Sequence, residues 1–260
     1  MDDSQVKGTK SLLEYFELGD GIDVSWAHAV NSKKLLSTSI EDETNILEAD
    51  VVMDPIKNKP IMSHPPKFIS DLDLETFLTT TLAKVGKGIK LDFKQTQVLS
   101  PSIDMLKQLA SSIDELPPIL LNADILIGPN NPTSLPVDSE AFLNSCKQFP
   151  QAILSPGWTT NFNISTGEIS GYSWEMVKEM ASLMSGITNA VTFPIRASLV
   201  GLSKDQLLWL LNQDEERYSL TIWKSDKDKW NIKDLKFLRQ LPKRVFYDLS
   251  DKQISDLKGM

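Results

Sequence analysis

One cysteine, Cys146, and two histidines, His28 and His64, are all the thiol and imidazole groups that 260 residues contain. A single cysteine excludes an intramolecular disulfide, and its run AFLNSCKQF reads as an amphipathic helix that packs the thiol rather than activating it. Zinc sites usually draw on Cys or several His, so zinc is disfavoured. No stretch approaches the roughly 18 apolar residues of a membrane span. The first residues, MDDSQVKGTKSLLEYF, lack the basic and apolar segments of a secretory signal, so a cytoplasmic location is expected and the sequon Asn163-Ile164-Ser165 should be unmodified. Basic charge is also scarce: 27 Lys and Arg against 35 Asp and Glu leave a net charge of -8. That balance argues against duplex DNA and anionic membranes as broad-surface partners, and favours collection of a cation. Internal repeats, low-complexity tracts and long linkers are absent as well, so nothing divides the chain.

What is present is alternation. Short β-rich runs at Ile22–His28, Asn45–Met53, Gly88–Lys94, Pro118–Ile125, Ala152–Gly157, Ala190–Arg196, Ser219–Trp223 and Arg244–Leu249 are separated by helical stretches, with Pro60–His64 as an extra extended piece. The helices are expected near Ser32–Ser39, then over Asp71–Val85, Ser102–Ser112, Asp138–Phe149, Trp174–Ser185, Lys204–Asn212 and Ile232–Leu241. Eight strands alternating with helices predict an α/β fold, a single (β/α)8 TIM-type barrel over residues 1–260 with 1–19 as an N-terminal extension. The longest irregular stretches, Gly128–Pro136 and Thr159–Tyr172, follow strands and so fall on the face where barrel enzymes keep their sites.

Residues two apart in a strand share a face, so polar pairs inside apolar runs mark polar patches. Glu48 and Asp50 pair in ILEADVV, with Leu47, Ala49 and Val51 on the helix-covered side. Lys90, Asp92 and Lys94 share a face in GIKLDFK, Asn122 and Asp124 in LLNADIL, and Trp26 and His28 at the end of the first strand. A structural ion-pair network of Lys90 and Lys94 with the acids would account for one such strand. Several at the same end point to a site. Glu48, Asp50 and Asp92 offer hard oxygen ligands suited to Mg²⁺, with Ca²⁺ or Mn²⁺ as alternatives. Both histidines lie beside the acidic pair, which suits proton transfer near neutral pH.

Through DGIDVSWAHAVNSK, LEADVVM, PIMSHPP, GIKLDFK, LNADILIGPN and SPGWTT, and more weakly through VTFPIRASLV and LTIWKSD, the chain resembles the menorin family, and within it the short intracellular branch. The same order is similar to the phospholipase-C-like phosphodiesterase superfamily, which includes glycerophosphodiester phosphodiesterases and spider-venom sphingomyelinase D. The resemblance implies His28 and His64 as acid and base, Glu48, Asp50 and Asp92 as metal ligands, Lys94 as the lysine that follows the third acid, and Trp223 as a late-strand tryptophan. Ala29-Val30 and Pro65-Pro66 follow the histidines where glycerophosphodiesterases carry Arg-Gly and Asp, and the third acid is Asp rather than Glu.

The expected activity is metal-dependent cleavage of a phosphodiester: a glycerophosphodiester, a lysophospholipid or sphingolipid head group, or a nucleotide or single-stranded RNA. Lys94, with Lys90 or Arg196, would offset charge that grows on the phosphate. Trp158, Trp26, Trp223 and Phe162 would wall the cleft, and Asn122, Asp124 and Asn130 would hold the remainder of the substrate. The alternatives are a non-catalytic adhesion-type binding protein that retains the barrel, and a glycoside hydrolase using Glu48 and Asp124, which leaves both histidines without a task.

Overall fold

The computed structural model describes residues 11–161, 169–225 and 228–260. Eight parallel strands nearly close into a barrel: β1 (Trp26–Ala27), β2 (Ile46–Met53), β4 (Gly88–Phe93), β5 (Ile119–Ile127), β6 (Ile153–Thr159), β7 (Val191–Arg196), β8 (Tyr218–Trp223) and β9 (Val245–Asp248), each hydrogen-bonded to the next. The extra piece β3 (Pro60–Met62) folds back antiparallel on β2. The α/β alternation and its eight main strands are therefore as the sequence indicates. β1 is shorter than expected, because the Asp20 carboxylate accepts the Ile22 N–H at 3.0 Å and turns Gly21–Asp23 into a single 3-10 turn. That turn fills the seam between β1 and β9: the Gly21 N–H donates to the Pro242 carbonyl at 2.7 Å, and a Cβ at Gly21 would fall on the Val245 carbonyl. Arg239 clamps Asp20 with two nitrogens, at 3.0 and 2.6 Å.

The helices follow their capping residues. Ser32 caps α2 (Lys33–Glu41), Asp73 caps α3 (Leu74–Leu82), Asp138 caps α5 (Ser139–Cys146) and Ser173 caps α6 (Trp174–Met184), each side chain accepting an N–H of the first turn. With α4 (Leu99–Ala110) and α8 (Lys204–Leu211) they cover the outside of the sheet. Residues 232–240 form a 3-10 rather than an α-helix, and α1 (Leu12–Tyr15), α7 (Ala197–Val200) and α9 (Asp251–Lys258) are additions to the expected set. Cys146 is fully buried in α5, and burial pushes its thiol up to about 12, which suits packing and not reactivity.

Strand alternation sorts the interior. Leu47, Ala49 and Val51 lie in the main core between helices and sheet. On the other face Ile46, Leu120, Ile153 and Phe246 fill the lower barrel, joined by Leu12 and Leu13. The short α1, held by a reciprocal Ser11–Glu14 capping box, thus plugs the N-terminal end, with Phe16 reaching the space beside Gly88. Among the described residues no helix is long and apolar enough to cross a membrane.

Candidate active site

Two residues beyond each of those apolar interior positions, the inward face turns polar. Register places Glu48 opposite Lys90, Asp50 opposite Asp92, Asp92 opposite Asn122 and Asn122 opposite Ser155 across four neighbouring strands. Like charges directly opposite one another repel, so the Asp50–Asp92 pair calls for a cation. Lys94 supplies one: its Nζ lies 3.1 Å from Asp50 Oδ1 and 2.5 Å from Asp92 Oδ2. One oxygen from each of Glu48, Asp50 and Asp92 lies within 4.8 Å of the others.

These carboxylates fit a divalent cation by the chemistry of the donor set, three hard oxygen groups on rigid strands. Two of them are also oriented by neighbouring backbone and amide groups. Ala29 N–H donates to Glu48 Oε2 at 2.8 Å, while Asn31 donates from Nδ2 to Asp50 Oδ2 at 2.6 Å and accepts the Asp50 N–H at 2.9 Å. The trio can hold a divalent metal, and Asn31 fixes the carboxylate at its centre.

A cavity of about 260 Å³ opens above them at the C-terminal ends of the strands. Of the residues proposed from the sequence, His28, His64, Glu48, Asp50, Lys90, Asp92, Lys94, Asn122, Asp124, Arg196 and Trp223 line it, whereas Trp158, Trp26 and Asn130 do not. A larger cavity of about 620 Å³ lies at the opposite end, between α1 and the starts of β6–β9. Its arginines are already spent: Arg217 on Asp214, and Arg244 on the Tyr218 and Leu211 carbonyls.

His28 Nδ1 sits between two carboxylates, 3.0 Å from Glu48 Oε2 and 3.3 Å from Asp248 Oδ2. Hydrogen bonds to Asp248 and Glu48 raise its pKa to about 10. With Nδ1 occupied, Nε2 is the nitrogen left for a ligand. Burial pushes Glu48 up, but the His28 hydrogen bond and the charges of His28, Lys90 and Lys94 outweigh it, and the carboxyl lies well below its ordinary range. Asp50 is raised by burial and by Glu48 and Asp92, against the pull of Lys94 and Asn31. Burial tends to discharge Lys94, yet Asp92, Asp50, Asp124 and Glu48 together hold it firmly protonated. Burial lifts Asp124 to about 7. His64 stands exposed at the rim, its Nδ1 2.6 Å from the Pro65 carbonyl.

Three wall and binding assignments need correction. Trp158 points away from the cavity: Ser155 meets Asn122 at 2.6 Å on the inward face, Gly157 comes next inward, and so Trp158 packs outward against Tyr172 and Phe193. Trp26 points inward but too low, among the apolar lower-barrel groups and under Lys90 Nζ at 5.9 Å. Asn130 spends its amide on the Ser170 backbone, at 3.1 and 2.9 Å, closing a loop. Phe162 and the sequon at Asn163 lie outside the described residues. Arg196 does reach the cavity, but buried Asp228 grips its guanidinium at 2.7 and 2.5 Å, and its charge is partly spent there.

Asp248, Asn31 and Asp228 were not legible as site residues. Asp248 carried a weak signal, since Phe246 and Asp248 repeat the apolar-then-acid alternation of the earlier strands. Gly157 carried another: a Cβ there would stand 2.7 Å from Asp124 Oδ1 and 2.8 Å from Pro194 Cγ, so glycine keeps that wall open.

The family model described as the Menorin N-terminal domain matches residues 20–254. The human protein FAM151B is 38% identical over 262 residues, covering 96% of this chain and 93% of its own length. Among solved structures, a protein assigned as a glycerophosphodiester phosphodiesterase from Galdieria sulphuraria superimposes with a TM-score of 0.53 at 12% identity, covering 88% of this chain and 91% of its own. The catalytic domain of a mannanase from Streptomyces sp. SirexAA-E gives 0.52 at 12% identity, covering 87% of this chain and 74% of its own. Such distant likenesses establish the barrel fold and not the chemistry. Matched by its family model over nearly its whole length and by FAM151B at 38% identity, the chain belongs to the menorin N-terminal domain family.

Proposed function

We propose that this protein is a metal-dependent phosphodiesterase whose site is the cavity above Glu48, Asp50 and Asp92. The observation that carries the reading is the meeting, at one end of the barrel, of three carboxylate oxygens within 4.8 Å and two cavity-lining histidines, the only two in the chain. A divalent ion, Mg²⁺ by preference and Ca²⁺ or Mn²⁺ as alternatives, would be held by Glu48, Asp50 and Asp92 and would supply Lewis-acid polarisation of a phosphate oxygen. Lys94 and Lys90 offset the negative charge that grows on the phosphoryl group in displacement, in a recess where water screens little. His28, pinned at Nδ1 by Asp248 and Glu48, presents Nε2 to the cavity. It and His64 share proton removal from the nucleophile and proton delivery to the leaving oxygen. When the nucleophile is a neighbouring substrate hydroxyl, the product is a cyclic phosphate; when it is water, a monoester.

The substrate is a small molecule or a chain end. At about 260 Å³ the cavity takes a phosphate and one compact substituent. Asn122, Asp124 and Trp223 face that substituent, while a lipid tail or further nucleotides would remain outside the mouth. This accommodates a glycerophosphodiester, a lysophospholipid or sphingolipid head group, or the end of a single-stranded RNA. A glycoside hydrolase reading has less support, because Glu48 already accepts from Ala29 and touches His28.

The test is hydrolysis of a phosphodiester panel with Mg²⁺, Mn²⁺ or Ca²⁺ and with chelator. Turnover should require the metal and should fall by about 10²–10⁴-fold in His28→Ala. Turnover undiminished by His28→Ala, or by Asp92→Asn, would refute the assignment.

A further inference from the structure

We infer that Lys94 is an internal competitor for the metal site, and that its ammonium changes partners from Asp50 and Asp92 to Asp124 when a divalent ion takes those two carboxylates. This rests on the proposed metal site. The observation is a conflict of occupancy. Two of the three carboxylates that a cation needs are already bridged by Lys94 Nζ, at 3.1 Å to Asp50 Oδ1 and 2.5 Å to Asp92 Oδ2. An ammonium that close to both acids repels a divalent ion ligated by them and competes with it for their charge.

Lys94 has somewhere to go. Its side chain lines the same cavity as Asp124, which stands two residues beyond Asn122 on β5. Asp124 and Lys94 already attract one another, and among the described residues the Asp124 carboxylate makes no hydrogen bond or ion pair of its own. Among the other cations, Arg196 is gripped by Asp228, and Lys90, which also attracts Asp124, lies over the Trp26 ring. A buried carboxylate near a mobile ammonium gains from pairing with it. In its second position Lys94 lies on the cavity side, where the proposed reaction needs a positive charge next to the phosphate. The lysine therefore neutralises the acids in one arrangement and serves the substrate in the other.

Direct titration with Mn²⁺, following free Mn²⁺ by its paramagnetic resonance signal at fixed pH, tests this without reference to turnover. Lys94→Met should bind Mn²⁺ at least about tenfold more tightly than wild type, since unit charges about 3 Å apart are worth roughly that factor even when fully screened by water. Lys94→Gln, which keeps a polar end, should shift in the same direction. Asp124→Asn should weaken Mn²⁺ binding by removing the second partner, and that weakening should shrink when Lys94 is already Met. Circular dichroism and thermal melting identify which variants are folded. Folded Lys94→Met or Lys94→Gln that binds Mn²⁺ no more tightly than wild type would overturn the competition. An Asp124→Asn effect of equal size in both backgrounds would overturn the change of partner. Failure of the wild type itself to bind Mn²⁺ would instead remove the metal site, and with it the proposed function.

Discussion

Because only two histidines are present, the imidazole C2–H protons give a two-line spectrum in which His28 can be assigned by its loss in His28→Ala. In chelator, His28 should titrate near 10, against an ordinary 6.5, because hydrogen bonds to Asp248 and Glu48 favour the imidazolium. Asp248→Asn removes one of these. A hydrogen bond to a charged group contributes about 1.5–3 kcal/mol, equivalent to about 1–2 pH units, and the exposed edge of the ring places the expected fall near one unit. The stability consequence has a definite sign. A histidine whose folded pKa is raised adds stability that is complete below 6.5 and disappears as pH rises to about 10. Asp248→Asn should therefore melt at lower temperature than wild type at pH 6 and at nearly the same temperature above pH 10. Saturating Mg²⁺ should lower the His28 midpoint, since Glu48 then shares its charge with the ion. A wild-type His28 midpoint near 6.5, or one unmoved in Asp248→Asn, would refute the account of this carboxylate clamp.

Two further outcomes follow from side chains outside the cavity's charged centre. Asn31→Ala frees Asp50 Oδ2 and leaves its N–H without the Asn31 acceptor; metal affinity measured by calorimetry should fall about 10–100-fold, as when other groups that orient a metal ligand are lost. Asp73 caps α3 and pairs with Lys59 at 2.5 Å, so Asp73→Ala should cost about 1 kcal/mol and lower Tm by about 2–4 °C while leaving metal binding unchanged. Burial raises the Asp73 carboxyl, but the Lys59 and Thr76 hydrogen bonds more than reverse this and bring it to about 2. Its contribution is thus present above about pH 4 and is lost as pH falls toward 2, and acid unfolding of wild type and Asp73→Ala should converge there.

Parity carried most of what the sequence revealed. Glu48, Asp50, Lys90, Asp92, Asn122 and Asp124 were placed on one face by the period of two alone, and the register then set Asp50 against Asp92. The same rule, applied to β6, turns Trp158 outward because Ser155 and Gly157 face inward; the chemistry of an aromatic near a strand end does not override its parity. Trp26 shows the other limit, because parity gives the face but not the height in the barrel. Asn31 and Asp228 act from irregular backbone, where no period exists to align them. Asp248 lay in a short final strand whose one acid made no pair.

The polarity of the upper interior has a structural counterpart below. Barrel interiors are ordinarily filled by branched apolar side chains, yet here the middle of the interior is held by hydroxyl and amide contacts, Ser155 to Asn122 at 2.6 Å and Thr192 to Thr221 at 2.8 Å. Above them the acids and lysines bury charge that stabilises little without good pairing. The apolar packing forgone there is recovered at the N-terminal end, where Leu12 and Leu13 enter from outside the sheet and complete a second cluster with Ile46, Leu120, Ile153 and Phe246. Those residues precede Glu48, Asn122, Ser155 and Asp248 by two positions on the same strands. The same four strands thus carry an apolar layer packed on α1 and, two positions further along, the polar layer of the site.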